Sequence, residues 1–344
     1  MESKFDGDIF DDPRMIAARN RVILALENSP APYSKRFRAK LNGLRQCGVY
    51  PVALILSQGR VSRVLRNQCG NRGCPVCDSL RAARIRRGLG EVVAERMKAG
   101  ARFSLITLTM PHRRGDMAQK LVCHLTAGLR KFQQTEGFKQ NVRSWARGIE
   151  VPWSAANGFH PHAHYIVEAK IWPKEEIKQV WIECMARAGG PAVLPNGAHV
   201  KGVKDAGKGL MEAVGYPFKI MDLNSIPFLE LVELLYATRN RRLVSMCRTW
   251  SGRIKHLLED RAAEAAGLDL ADGVDCVSFG EVRLRARTGD RAALRLMVEA
   301  AELLERSAGT RSLAQGLWLM LKGEVGPCTP DVASKGVGGR EGEY

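Results

Sequence analysis

No uninterrupted apolar run in these 344 residues approaches the roughly 20 that a bilayer-spanning helix requires. The amino-terminal stretch MESKFDGDIFDDPR is acidic and has no apolar core, so it does not read as a secretory signal. A cytoplasmic protein without a membrane partner is the expectation. A disulfide framework is also excluded, because nine cysteines is an odd number and their spacing is uneven. No internal repeat is visible. Acid is scarce in one block: from Lys35 to Arg114 there are 18 Lys and Arg against three acids, Asp78, Glu91 and Glu95. The chain as a whole carries +17. So concentrated a positive segment can neutralise phosphates and release their counterions, which points to nucleic acid, although a solvated basic face has the same composition.

With 45% hydrophobic and 26% charged residues the rest reads as folded protein. Helices are expected over 16–26, 80–98, 117–132, 175–188, about 209–220, 228–237, 253–266 and 291–321. RFSLITLTM, Arg102 to Met110, reads as a buried strand. Val142 to Trp153 and Gly158 to Ala169 read as two strands joined by Ser-Ala-Ala-Asn-Gly, and His199 to Val203 as a short one. Strands and helices in this order predict an α+β fold with a mainly antiparallel sheet covered on one side. The expected organisation is a leader (1–34), a basic zinc-binding module with its helix (35–99), a catalytic domain (100–225), a helical region (226–325) and a Gly-rich disordered tail (326–344).

Cys69, Cys74 and Cys77 fall within nine residues, and a Cys-Pro-x-Cys turn lets two thiolates reach one ion. A closed structural zinc site needs four ligands. Cys47, followed by Gly48, is the leading fourth candidate, with His112 in reserve. Buried free thiols are the plainer alternative. In GFHPHAHYIVEA, His160, His162 and His164 alternate, so on a strand they share a face and can hold a catalytic divalent ion. Glu150, across the expected hairpin, is a candidate third ligand. In GLMEAVGYPFKI, Glu212 and Tyr216 are spaced i, i+4 and Lys219 follows. A phenol is a weak nucleophile until its anion is stabilised, which Lys219 or a nearby ion can do. Glu212 can act as a general base.

Taken in order, these segments resemble the rolling-circle replication initiators of small bacterial plasmids, members of the HUH endonuclease superfamily. Cys69 to Cys77 with Arg81, Arg84 and Arg86 matches the family's amino-terminal cluster, and Cys47-Gly48 its upstream cysteine. FSLITLT at 103–109 is similar to the first motif. HPHAH at 160–164 fits the metal motif, with His162 and His164 in the ligand positions, and Glu212, Tyr216 and Lys219 fit the third. The likeness runs from about residue 40 to 255. It implies an HUH-type central antiparallel sheet flanked by helices, preceded by a small zinc-binding module and followed by a helical carboxy-terminal region. It further implies attack by Tyr216 on a phosphodiester of single-stranded origin DNA, leaving a 5′-phosphotyrosyl bond and a 3′-OH primer. Glu212 would then activate water to release the product, as in the single-tyrosine type. Mg²⁺ or Mn²⁺ for nicking, structural Zn²⁺, and a host helicase and polymerase as partners follow from the same resemblance. Arg72, Arg81, Arg84, Arg86 and Arg87 are the candidate DNA-binding residues. A transposase or relaxase would use the same chemistry, and a non-catalytic zinc-ribbon nucleic-acid binder is the rival from another class.

Overall fold

The computed structural model describes residues 9–28, 35–169, 172–203, 220–255 and 274–305. Contacts divide the chain into two compact units, Met1–Tyr50 with Arg66–Ala271, and Pro51–Leu65 with Asp272–Tyr344.

The first unit is built on a five-stranded antiparallel sheet. Its strands are β3 (Phe103–Thr109), β4 (Val142–Glu150), β7 (His162–Ala169), β8 (Ala198–Gly202) and β9 (Val244–Met246), in the order β8-β3-β7-β4-β9. The expected hairpin forms between β4 and β7. A two-residue ribbon of β5 (Trp153–Ser154) and β6 (Gly158–Phe159) carries its tip. Register is set by the alternation of side chains, because a slip of one residue would turn every apolar group to the wrong face. Ile106, Leu108, Ala163, Tyr165 and Val167 face one core. Phe103, Leu105, Ala146 and Ile166 face another.

Helices cover both faces of this sheet, where one covered side was expected. On the first face, α4 (Ala118–Gln134) presents Leu121, Val122, Leu125, Leu129 and Phe132 at helical spacing, and α6 (Lys174–Arg187) packs beside it. Gly128 permits that approach, since a Cβ there would lie 2.3 Å from the Met185 sulfur. Phe132 is fully buried and meets Tyr165 at 6.0 Å between centroids. On the second face, Leu89, Val92 and Val93 of α3 (Pro75–Lys98) pack with Trp250 and Ile254 from the helical residues 248–255. The long arm of α3 is fastened to β7 by Arg96, which grips the buried carboxylate of Glu168 through both Nε and a terminal nitrogen.

Ahead of α3 lie α1 (Pro13–Glu27) and α2 (Lys35–Gln46). Asp12 caps α1 by accepting from the Arg14 amide at 2.9 Å, and Pro13 opens the first turn, where its missing N–H costs nothing. The short α5 (Glu136–Asn141) follows α4, and α7 (Ile220–Ser225) and α8 (Phe228–Ala237) lead to β9.

The second unit holds β1 (Pro51–Ser57) and β2 (Arg60–Arg66), with β10 (Val274–Ser278) antiparallel to β1. Gln58 and Gly59 both take positive φ, 51° and 73°, as a tight two-residue hairpin turn demands. Helices α9 (Phe279–Arg287) and α10 (Arg291–Glu305) pack Phe279, Val282, Met297 and Ala300 onto Leu54, Leu56 and Val64. No helix among the described residues is long and apolar enough to cross a membrane.

Candidate metal centres and functional site

The four cysteines come together. Cys47 ends the turn after α2, Cys69 follows β2, and Cys74 and Cys77 stand at the amino-terminal end of α3, where Cys74 is the N-cap and Pro75 the first helical residue. Gly48, Gly70 and Gly73, at φ 77°, 65° and 86°, supply the left-handed turns beside the thiols. At Gly48 a side chain is also excluded by space, because a Cβ would lie 2.2 Å from the Phe10 ring. Sulfur–sulfur distances are 3.5 Å for Cys47 and Cys77, 3.6 Å for Cys69 and Cys77, and 3.6 Å for Cys47 and Cys74. A disulfide is far shorter. Four sulfurs held tetrahedrally at about 2.3 Å from one zinc ion stand about 3.8 Å apart, so the donor set and its spacing fit Zn²⁺. Hydrogen bonding with Cys47 holds the Cys69 and Cys77 thiols below their ordinary value, bonding with Cys69 pushes Cys47 up, and bonding with Cys47 pushes Cys74 up. A dication would let all four ionise together. Cys47 therefore fills the fourth position, and the reserve candidate His112 lies elsewhere, against His160.

A second group of donors forms on the sheet. Glu150 of β4 and His162 and His164 of β7 bring ligand atoms within 4.8 Å of one another. Register explains this: Glu150 is directly opposite His162, and Gly148, opposite His164, leaves space beside the imidazole. His162 Nε2 and a Glu150 carboxylate oxygen are 3.5 Å apart. Two ligands of one ion held at about 2.1 Å are separated by roughly 3–4 Å, so this pair fits a divalent cation. Each imidazole is oriented from behind. His162 Nδ1 lies 3.0 Å from the His160 carbonyl, and His164 Nδ1 lies 3.0 Å from the Thr107 hydroxyl on β3. With Nδ1 donating in both, Nε2 is the ring nitrogen able to serve as ligand. Thr107 was not singled out in the sequence. The signal was there, since Thr107 is a polar position on the same face of the strand as Phe103 and Leu105.

His160 does not join these three. Pro161 has no N–H for the ladder, β7 begins at His162, and His160 sits in the link between β6 and β7 with its amide on the Pro152 carbonyl at 2.8 Å. Its ring meets His112 edge-on, 4.4 Å between centroids. Burial, then the charges of His112 and His162, push its pKa down to about 4, so it is neutral near pH 7. The alternation expected across all three histidines thus holds for two.

Tyr165 is fully buried among aromatic rings on the opposite face, and burial pushes its phenol up, which removes it as a nucleophile. Glu212, Tyr216 and Lys219 lie outside the described residues. Of the candidate arginines, Arg84 and Arg87 are exposed on α3, and Arg86 is half-buried. Arg81 pairs with Asp78 and donates to the Gly70 carbonyl, and Arg72 donates to the Arg241 carbonyl at 2.7 Å.

With this arrangement described, comparison with known proteins decides the family. A model of the Rep_1 family, described as "Replication protein", matches residues 62–278, more than half of the chain. The chain belongs to this replication-protein family. It is 25% identical over 173 residues to "Protein rep" of Streptococcus pneumoniae serotype 2 (strain D39 / NCTC 7466), covering 45% of this chain and 52% of that one. It is 26% identical over 135 residues to "Protein rep" of Bacillus amyloliquefaciens, covering 38% of this chain and 40% of the relative. The chain thus spans about half the length of the curated relatives it matches. No solved structure matches it significantly. The replication-protein match covers three of the four cysteines and all of the Glu150, His162 and His164 group.

Proposed function

We propose that this replication protein initiates plasmid rolling-circle replication by nicking one DNA strand at an origin. The observation that carries the reading is the convergence of Glu150, His162 and His164 on an antiparallel sheet in a chain of this family. A divalent ion there, Mg²⁺ or Mn²⁺, would polarise a scissile phosphate and leave the phosphorus open to attack. The mixed nitrogen and carboxylate donors suit Mn²⁺ at least as well as Mg²⁺. Glu150, His162 and His164 hold this centre, and Thr107 and the His160 carbonyl keep its imidazoles aimed. Tyr216 supplies the phenol oxygen that bonds to phosphorus. The bond from phosphorus to the 3′ oxygen breaks, and that oxygen takes up a proton to become the 3′-OH primer. Lys219 offsets the developing phenolate charge, and Glu212 removes a proton from the water that later hydrolyses the phosphotyrosyl bond. The four cysteines hold the basic segment in shape around structural Zn²⁺, and Arg72, Arg81, Arg84, Arg86 and Arg87 meet the DNA backbone. Residues 100–225 act as the nuclease core in this scheme.

Incubation with single-stranded origin DNA and Mn²⁺, followed by denaturing electrophoresis, tests the proposal. The expected product is an SDS-resistant protein–DNA adduct, absent in Tyr216→Phe and in His162→Ala, and accumulating in Glu212→Ala. An adduct that persists in Tyr216→Phe would overturn the assignment.

A further inference from the structure

The nicking scheme leaves a half-open pocket among the described residues of the first unit without a role. A cavity of about 620 Å³ lies among α2, the 69–73 loop, the first turns of α3, α8 and the residues leading into β9. That volume is within the range of sites that hold a small organic group. Lys40, Arg72, Arg81 and Arg239 line it, and Asp78 is the one acid in its lining. Asp78 is already engaged, accepting from the Gly73 amide at 2.7 Å and pairing with Arg81. Arg72 is satisfied by the Arg241 carbonyl. Among the described residues no acid lies at ion-pair distance from the Lys40 ammonium or the Arg239 guanidinium, which stacks over Tyr236. The cavity therefore brings two cations together, with Lys40 also within the field of Asp78, Cys69 and Cys74.

Its other wall is apolar, formed by Ile85, Leu235, Leu243 and Val244. Cations beside an apolar wall match a ligand with an anionic end and a flat, weakly polar body. Asn240, in the left-handed region at φ 60°, adds an amide that can meet the edge of a base. The position is as informative as the lining. Val244 is directly opposite Gly148, and Gly148 is directly opposite His164. Paired residues share a sheet face, so Val244 of the cavity wall and the Glu150, His162 and His164 group are on one face, two strand spacings or about 10 Å apart.

We propose that this cavity takes one nucleotide of the single strand engaged at the neighbouring site. Its base rests on Ile85, Leu235, Leu243 and Val244, and its phosphate lies between Lys40 and Arg239. The inference rests on the nicking reading for the path of the strand, and it assigns the cavity a choice among bases that phosphate contacts alone cannot make.

Fluorescence anisotropy of a short labelled single-stranded DNA of mixed sequence, titrated over salt in a His162→Ala background that prevents cleavage, tests this. Lys40→Met and Arg239→Gln are each expected to weaken binding roughly tenfold and to flatten the slope of log K against log salt by about 0.7. Lys40→Arg keeps the charge and is expected to bind as the parent does. Arg239 is exposed, so its variant separates lost binding from lost folding. An abasic residue walked along the strand is expected to weaken parent binding at one position. Unchanged affinity and slope in both charge variants, or no sensitive abasic position, would overturn the proposal. Free dAMP binding as tightly as the strand would overturn it too, by assigning the cavity to free nucleotides. If Tyr216 forms no adduct while these losses occur, the cavity assignment stands and the nicking reading fails. A normal adduct without the losses gives the reverse.

Discussion

At the scale of single residues, the metal group depends on side chains that are not themselves ligands. Thr107 meets His164 Nδ1 at 3.0 Å, and when Nδ1 donates in this contact Nε2 is the ring nitrogen that would face an ion. Thr107→Val keeps the shape and removes the acceptor. Loss of such a partner typically costs 10–100-fold in metal affinity. Calorimetric titration with Mn²⁺ should therefore show weaker binding in the valine variant, and Thr107→Ser should recover it. Equal Mn²⁺ affinity in wild type and Thr107→Val would remove Thr107 from the site. The cysteine group gives a second expectation. Cys74 is both a candidate zinc ligand and the N-cap of α3, so Cys74→Ser should lower the zinc-to-protein ratio and the melting temperature together. A variant that retains full zinc would exclude Cys74 as a ligand.

At the scale of elements, α1 is held by its Asp12 cap, whose carboxyl the Arg14 side chain keeps below its ordinary value of 3.8. A carboxylate with a depressed folded-state pKa contributes stability above its unfolded pKa and loses it as pH falls through the lower folded value. Wild type should therefore lose this contribution only below about pH 4, whereas Asp12→Ala, costing about 0.5–2 kcal/mol at neutral pH, should show no such loss. Urea unfolding at several pH values measures both. Phe132 is more costly, since it is fully buried beneath Tyr165, Trp172 and Trp181. Phe132→Ala should destabilise the fold by about 3–5 kcal/mol.

Elements with a strong local pattern were legible in the sequence. The strand FSLITLT, the α4 stripe and the hairpin of β4 with β7 have periodicities of their own, and Cys47 was identified through its glycine. Elements whose stability comes from distant partners were not. β1 and β2 lie in what reads as a basic cysteine-rich segment, and β1 pairs with β10 more than 200 residues later. β9 is three residues long and exists as an edge on β4. His160 shows the converse: alternation suggested a ligand, and with a proline in the row it lies outside β7, in the link from β6.

At the scale of the whole molecule, the proposed function makes the distribution of charge decide how the protein would meet DNA. The block from Lys35 to Arg114 carries 18 basic residues against three acids. In the structure, however, these cations are not equivalent. Arg66 is buried against Asp11, and Arg96 is paired with the buried Glu168 carboxylate, so these two serve the fold and release few counterions on binding. Arg84 and Arg87 are exposed on α3 and available to phosphates. Each phosphate neutralised on a single strand contributes about −0.7 to the slope of log K against log salt. The double variant Arg84→Gln/Arg87→Gln should therefore flatten that slope by roughly 1.4. Arg285→Gln, whose cation is already paired with Asp290, should leave it unchanged. Filter binding of single-stranded DNA from low to moderate salt reads both values. A slope unaltered in the double variant, or flattened equally by Arg285→Gln, would show that the exposed face of α3 does not carry the DNA contact.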